Sequence, residues 1–205
     1  MKTDQNPVEY QHAVTGLLET KKHGTDDFNI GVYDSRDENN PRGMYMHWHH
    51  EYEIIFIESG NFIFIVDGEE IKASDNQVVF INRYVIHSCT FYNPESLFTC
   101  IVYGEKLLFS EHMDMIYQKY IRQIALNTKK PPSLITDEYD WGKDIINHVK
   151  TLLYSWFSAS QAYEINVKIQ LLSIYYEIIK NNLLSDAVNN NDGIADIFNS
   201  PPSNQ

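Results

Sequence analysis

Two histidines and a glutamate, His47, His49 and Glu53, stand in the run Met46-His47-Trp48-His49-His50-Glu51-Tyr52-Glu53, and Gly60 closes the β-type stretch that follows. Imidazoles two residues apart face one side of a strand, because strand side chains alternate. A further histidine, His87, comes after the apolar run 77–81. Imidazoles and a carboxylate converging on one point can hold a divalent metal ion. The same groups can instead line a pocket for a small organic effector, since an eight-stranded barrel just accommodates one small ligand. They can also merely satisfy one another. All three readings stand on the residues alone. The organic effector is the favoured one, and a divalent metal on His47, His49, Glu53 and His87 comes second, with no cofactor required.

Geometry sets a condition on any of them. In one straight strand His47 and Glu53 would lie ~20 Å apart, too far for a common partner. The chain must therefore turn at His50-Glu51-Tyr52 and start a new strand at Glu53. Around this set, Trp48, Tyr52, Tyr84 and Tyr92 offer rings for stacking, and Arg83 offers a guanidinium to an anionic effector. The effector-binding set is thus His47, His49, Glu53, His87, Trp48 and Arg83. A surface salt bridge is the competing role for Arg83 in a chain with 28 acidic residues. His12, His23, His112 and His148 read as ordinary surface or helix positions, and Cys89 and Cys100 as small core thiols. No catalytic residue is assigned, because the chain has no nucleophile elbow, P-loop or dinucleotide fingerprint.

The elements that must carry these residues follow from texture. After a polar arm (1–27), short β-type runs cover 28–33, 45–49, 53–58, 61–66, 70–73, 77–81, 87–91 and 97–103. Ser59-Gly60, Asp67-Gly68, Ser74-Asp75-Asn76 and Asn93-Pro94 separate them as turns. Eight short strands at this spacing predict a barrel or sandwich over 28–104. Beyond it the period becomes helical over 105–184: a helix with Met113, Ile116, Tyr117, Tyr120, Ile121 and Ile124, a second opening at Asp137 as N-cap, and a third over 162–184. The third is apolar around most of its circumference, so it needs cover on more than one side; a second subunit across Leu171 and Ile178 is the favoured cover, and helices 113–124 and 141–157 of the same subunit are the alternative. Residues 185–205, rich in Asn, Ser and Pro, read as a flexible linker.

The spacing His-x-His-x3-Glu-x6-Gly resembles the first motif of the cupin barrels, and His87 falls where their second motif places a histidine. Pro41 stands where a glycine is usual, with Gly43 two residues late; Arg83 replaces a proline, and Ser74-Asp75 replaces Gly-Asp. These departures leave the barrel in place and count against a metal enzyme. His-Trp-His followed by Tyr-Glu-Ile-Ile and a Glu-Ser-Gly turn is similar to the N-terminal sensing domain of AraC-type bacterial transcription regulators, over roughly residues 25 to 185. The resemblance implies a cupin-like jelly-roll barrel followed by about three helices, a small-molecule effector such as a carbohydrate, and a homodimer through the C-terminal helices. It also implies that DNA is contacted through a C-terminal helix-turn-helix part absent from this sequence. The alternative it leaves is a small metal-dependent cupin enzyme of isomerase or dioxygenase type.

Composition agrees with a sensor more than with a binder of polyanions. A hydrophobic fraction of 43% suffices for a packed core, while a net charge of -12 opposes phosphate groups and anionic membranes. Apolar runs are strand-sized and no signal-like stretch follows Met1, so a cytoplasmic chain without a membrane segment is expected. The two cysteines accord with that compartment as thiols.

Overall fold

Strand β3 (Tyr52–Ser59) carries an apolar run that is buried on both faces, and its alternation divides the molecule into two cores. Ile55 and Ile57 face the inside of a β-barrel, together with Val79, Ile81, Phe98 and Cys100. Tyr52, Ile54 and Phe56 face outward into a second core made with the helices. Each fully buried large apolar side chain contributes roughly 1.5–3 kcal/mol, so the wall between the cores is held from both sides. Glu53 has the parity of the barrel interior, and that parity sets its role.

The computed structural model describes residues 17–37, 43–91, 93, 95–108 and 115–187. Strands β1 (Ile30–Asp34), β2 (Met44–His47), β3, β4 (Phe62–Val66), β5 (Glu69–Ala73), β6 (Val78–Ile81), β7 (His87–Phe91) and β8 (Leu97–Tyr103) come first. A π-type turn, Tyr117–Ile121, then runs into α1 (Arg122–Ala125), followed by β9 (Lys129–Lys130) and β10 (Leu134–Ile135). Helices α2 (Asp140–Ser158) and α3 (Tyr163–Lys180) precede β11 (Ser185–Asp186). One sheet has the order β1-β8-β3-β6-β10 and its partner β2-β7-β4-β5, with neighbours antiparallel throughout. This is a cupin-like jelly roll with a helical layer on one sheet. No described helix is long and apolar enough to cross a membrane.

Two turns show why the strands break where they do. Asp67 and Gly68 both have positive φ, 53° and 81°, as a tight hairpin between β4 and β5 demands. Gly60 sits at φ 94°, donates its amide to Asp75 Oδ1 at 2.5 Å, and lies so close to Ser96 that no side chain would fit.

The helices differ from expectation in detail. Asp137 does not cap the second helix; it accepts a hydrogen bond from Asn76 Nδ2 at 3.0 Å, and α2 begins three residues later behind Tyr139. Helix α3 ends at Lys180, not Leu184. Leu171 and Ile178 are fully buried within this chain, in the core they share with Ile145, Val149 and Leu152 of α2, so they are not a subunit face. Ser185 and Asp186, read as linker, pair with Lys130 and Lys129. The end of the arm is tied down too: Leu18 bridges Trp48, and the Glu19 amide donates to the Trp48 carbonyl at 2.9 Å. Expectations for residues 1–16 (with His12), Pro41, Tyr92, Pro94, His112, Met113 and 188–205 lie outside the described residues.

Candidate functional site

His47 ends β2 opposite His87, the first residue of β7. The chain bends after Trp48, and β3 starts at Tyr52, which brings Glu53 back beneath the two strands as the geometric condition required. His49, Glu53 and His87 are all buried, and Glu53 Oε2 lies 3.4 Å from His49 Nε2 and 3.0 Å from His87 Nε2. The His87 contact is within ion-pair distance but is poorly aligned for a hydrogen bond.

The backbone fixes how the imidazoles are protonated. His47 Nδ1 donates to the Tyr45 carbonyl at 2.7 Å, His49 Nδ1 to that of Glu51 at 3.1 Å, and His87 Nδ1 to that of Val85 at 2.9 Å. A carbonyl only accepts, so each Nδ1 must carry a proton and each neutral ring presents the lone pair of Nε2. The three candidate ligating nitrogens lie within 4.8 Å of one another. Lone pairs facing a carboxylate repel it, and the arrangement therefore calls for a cation, either a proton on the rings or a metal among them. Charge follows the same logic. Burial alone would raise the Glu53 carboxyl, but His49 and His87 outweigh it and hold it well below its usual range. Burial likewise acts to lower His49, yet Glu53 with Glu51 and Glu19 leaves it raised. His47 is lowered, first by burial and then by His87.

These residues border a cavity of about 260 Å³. Its polar wall includes His47, His49 and Glu53, and its apolar wall Met44, Phe98, Cys100 and Val102. His87 is not on the wall but stands behind it, with its ring 4.2 Å from that of His47. The third side comes from the N-terminal segment. His23 is only 2% exposed and lines the cavity; its Nδ1 bonds the Tyr33 hydroxyl at 2.8 Å, while its Nε2 has no hydrogen-bond partner among the described residues. Burial lowers its pKa. Glu19 Oε2 lies between the two imidazole groups, 3.8 Å from His23 Nε2 and 3.7 Å from His47 Nε2. Reading His23 as a surface position was therefore an error. Only the pairing of Leu18 with Trp48 brings it here, and no local spacing signals that. His148 does sit on a helix, bonded to Gln170 Oε1 at 2.7 Å.

Two other expected residues lie outside the cavity wall. Trp48 has the opposite parity to His47 and His49 and packs near His50 and Tyr84. Arg83 reaches away from the cavity: its Nε donates to the His50 carbonyl at 3.1 Å, and its guanidinium also binds Glu105 and the Tyr84 hydroxyl. Its role here is that of a tie between loops rather than a recognition group in the pocket.

The donor set fits a divalent ion. Two imidazoles on one ion stand at most ~4 Å apart, twice the usual metal–nitrogen distance, so the rings need draw in only slightly. Each also has its second nitrogen anchored to a carbonyl, as metal-bound histidines normally do.

Comparison with known proteins places this architecture. Residues 23–121 match the family model described as the AraC-like ligand binding domain. An uncharacterized HTH-type transcriptional regulator of Bacillus subtilis (strain 168), YdeC, is 22% identical over 167 residues, 80% of this chain. The chain spans 56% of that regulator's length. Among solved structures, ToxT from Vibrio cholerae O395, bound to a naphthalenyl butenoic acid, superposes with a TM-score of 0.50 at 13% identity, covering 84% of this chain and 64% of that one. At that identity the likeness concerns the fold. Barrel topology, motif histidines and family match agree: over residues 23–121 this chain is similar to the AraC-like ligand binding domain.

Proposed function

We propose that the chain is the effector-sensing and dimerisation part of a transcription regulator, and that its effector is a small polar molecule held in the barrel cavity. The observation that carries this is a set of imidazole nitrogens converging on the barrel cavity, one of which, the buried His23 Nε2, lacks a hydrogen-bond partner among the described residues. A buried polar atom without a partner costs free energy that a ligand hydrogen bond would recover. A monosaccharide-sized carbohydrate suits the walls: hydroxyls toward Glu19, His23 and Glu53, the C–H face toward Met44 and Phe98. Binding biases how the N-terminal segment and the helical layer pack, a population shift that requires the effector to prefer one arrangement. DNA contact belongs to a helix-turn-helix part outside this sequence, as the name of the YdeC relative suggests.

A thermal-shift screen of sugars, sugar acids and hydroxy acids tests the reading. Stabilising compounds should lose their effect in His49→Ala and in His23→Ala, with far-ultraviolet circular dichroism unchanged. Hits indifferent to every cavity substitution would place the pocket elsewhere.

The converging imidazoles also favour a second element of the reading, a divalent cation held by His47, His49, His87 and Glu53. Such an ion would supply a Lewis-acidic anchor for an oxygen of the effector. Glu53 and His49 then serve as its charge partners, while Glu19 and His23 position the rest of the molecule. Metal analysis of purified protein separates the sensor from the metal-dependent enzyme. Stoichiometric metal together with turnover of a bound compound, both lost in His49→Ala, would favour the enzyme.

A further inference from the structure

The turn Asn82-Arg83-Tyr84 touches the site at three points. It follows Ile81, which pairs with Glu53 across β6 and β3. It precedes Val85, whose carbonyl orients His87. Its Tyr84 amide donates to the His49 carbonyl at 2.9 Å, and Arg83 Nε donates to the His50 carbonyl. On its far side the same turn grips the helical layer. Asn82 Nδ2 donates to Asn127 Oδ1 at 2.5 Å and to the Ile124 carbonyl at 3.3 Å, and Asn127 Nδ2 returns a bond to the Arg83 carbonyl at 3.1 Å. Asn82 is only 7% exposed, and its bond to the Ile124 carbonyl is buried while the two with Asn127 are part-buried, which strengthens them relative to bonds in water.

The line continues to the C-terminal segment. Immediately after Asn127, the Thr128 carbonyl accepts from the Ala187 amide at 3.1 Å, Lys129 Nζ lies 2.6 Å from Asp186 Oδ1, and Lys129 and Lys130 pair with Asp186 and Ser185. A ladder of two residues per strand is too short to be stable by itself, so its formation depends on what holds its base. The base is Asn127, in left-handed backbone at φ 53°, clamped to a turn whose Tyr84 is also left-handed at φ 62°. A bulky residue in that region is strained, and such strain persists only where surrounding contacts impose it.

We propose that the 82–84 turn is the connection by which the histidine site sets the pairing of residues 185–187 with 128–130. A change in the positions of His49, Glu53 and His87 shifts the turn, the turn shifts Asn127, and the short ladder closes or opens. The proposal rests on the barrel being the sensing site, and its test needs no ligand, so the two readings fail separately.

Amide hydrogen exchange, read residue by residue on the full chain, is the test. Glu53→Gln perturbs the site; Asn127→Ala cuts the connection; the double variant completes the cycle. In Glu53→Gln the Ala187 and Lys130 amides, which point into the ladder, should exchange faster by a factor between about two and thirty, the span of couplings of this kind. Asn127→Ala should do the same, and the double variant should add nothing beyond it. Protection of Ile54 and Val149 reports that both cores survive. If Glu53→Gln loses protection throughout, His49→Gln carries the same comparison. Unchanged Ala187 exchange in the site variant, or additive effects in the double variant, overturns the proposal.

Discussion

Glu53 decides the electrostatics of the site, and its effect can be read on one neighbour. His49 is buried, which by itself favours the neutral ring, yet its pKa is raised because Glu53 and the other carboxylates outweigh burial. In Glu53→Gln the burial cost is no longer offset to the same extent. A nuclear magnetic resonance titration of the ring should therefore find the His49 midpoint above ~6.5 in the wild type and shifted downward in the variant. An unmoved midpoint would mean that Glu53 is not the source of the shift. The signs also fix a stability window. The contribution of His49, with its raised folded pKa, is complete below about pH 6.5 and fades as pH rises through that raised value. The contribution of Glu53, held low, is present above the usual carboxylate range and fades as pH falls through its folded value. Glu53→Gln should thus lose most stability between about pH 4.3 and 6.5. At this scale much of the site was legible. The parity of His47 and His49 and the need for a bend before Glu53 follow from strand geometry alone. His23 and Glu19 were not legible, because a bridge between Leu18 and Trp48 brings them to the cavity. Arg83 was visible only as a charge near His87; its direction depends on Glu105 and the His50 carbonyl.

At the scale of elements, the first eight strands fall within two residues of where alternation and turn residues put them, since both signals are local. Strands β9, β10 and β11 could not be read in this way. Each is two residues long and exists because another part of the chain lies alongside: β10 on β6, and β9 on β11. The start of α2 was misplaced for a similar reason, as Asp137 is occupied by Asn76 from the β5–β6 turn. The link between α2 and α3 carries a testable cost. Ala159 and Ala162 both occupy left-handed backbone, at φ 45° and 64°. That conformation costs an L-residue with a β-carbon roughly 1–2 kcal/mol. Glycine removes the cost but gains freedom in the unfolded chain, leaving a net gain of about 0.5–1 kcal/mol for each substitution. Ala159→Gly and Ala162→Gly should each raise the melting temperature by about 1–4 °C. A fall in both would show that the link does not adopt this backbone.

At the scale of the whole molecule, the apolar circumference of α3 has two destinations. Val167, Leu171, Ile174 and Ile178 are consumed within the chain, against α2 and the outer face of the barrel sheet. Ile165, Ile169 and Tyr176 are 64%, 51% and 60% exposed, and their spacing puts them along one stripe of the helix. Tyr154 and Phe157 on α2 are exposed as well. Patches of this kind mark association surfaces, and closed two-fold dimers are the commonest way to bury them. Ile165→Glu with Ile169→Glu should yield a folded monomer by light scattering where the wild type is a dimer at tens of micromolar. A wild type that is already monomeric there would remove dimerisation from the account.

The central claim is that the barrel cavity senses the effector, and the ring nitrogens of the histidines report on it directly. With nitrogen-15 in the imidazoles, the most stabilising compound of the thermal-shift screen is titrated into the full chain. Resonances of His23, His47 and His49, which line the cavity, should shift in saturable fashion with a common dissociation constant, while His148, on α2, stays in place. Saturable binding that moves His148 and leaves the three cavity imidazoles unchanged would contradict the claim.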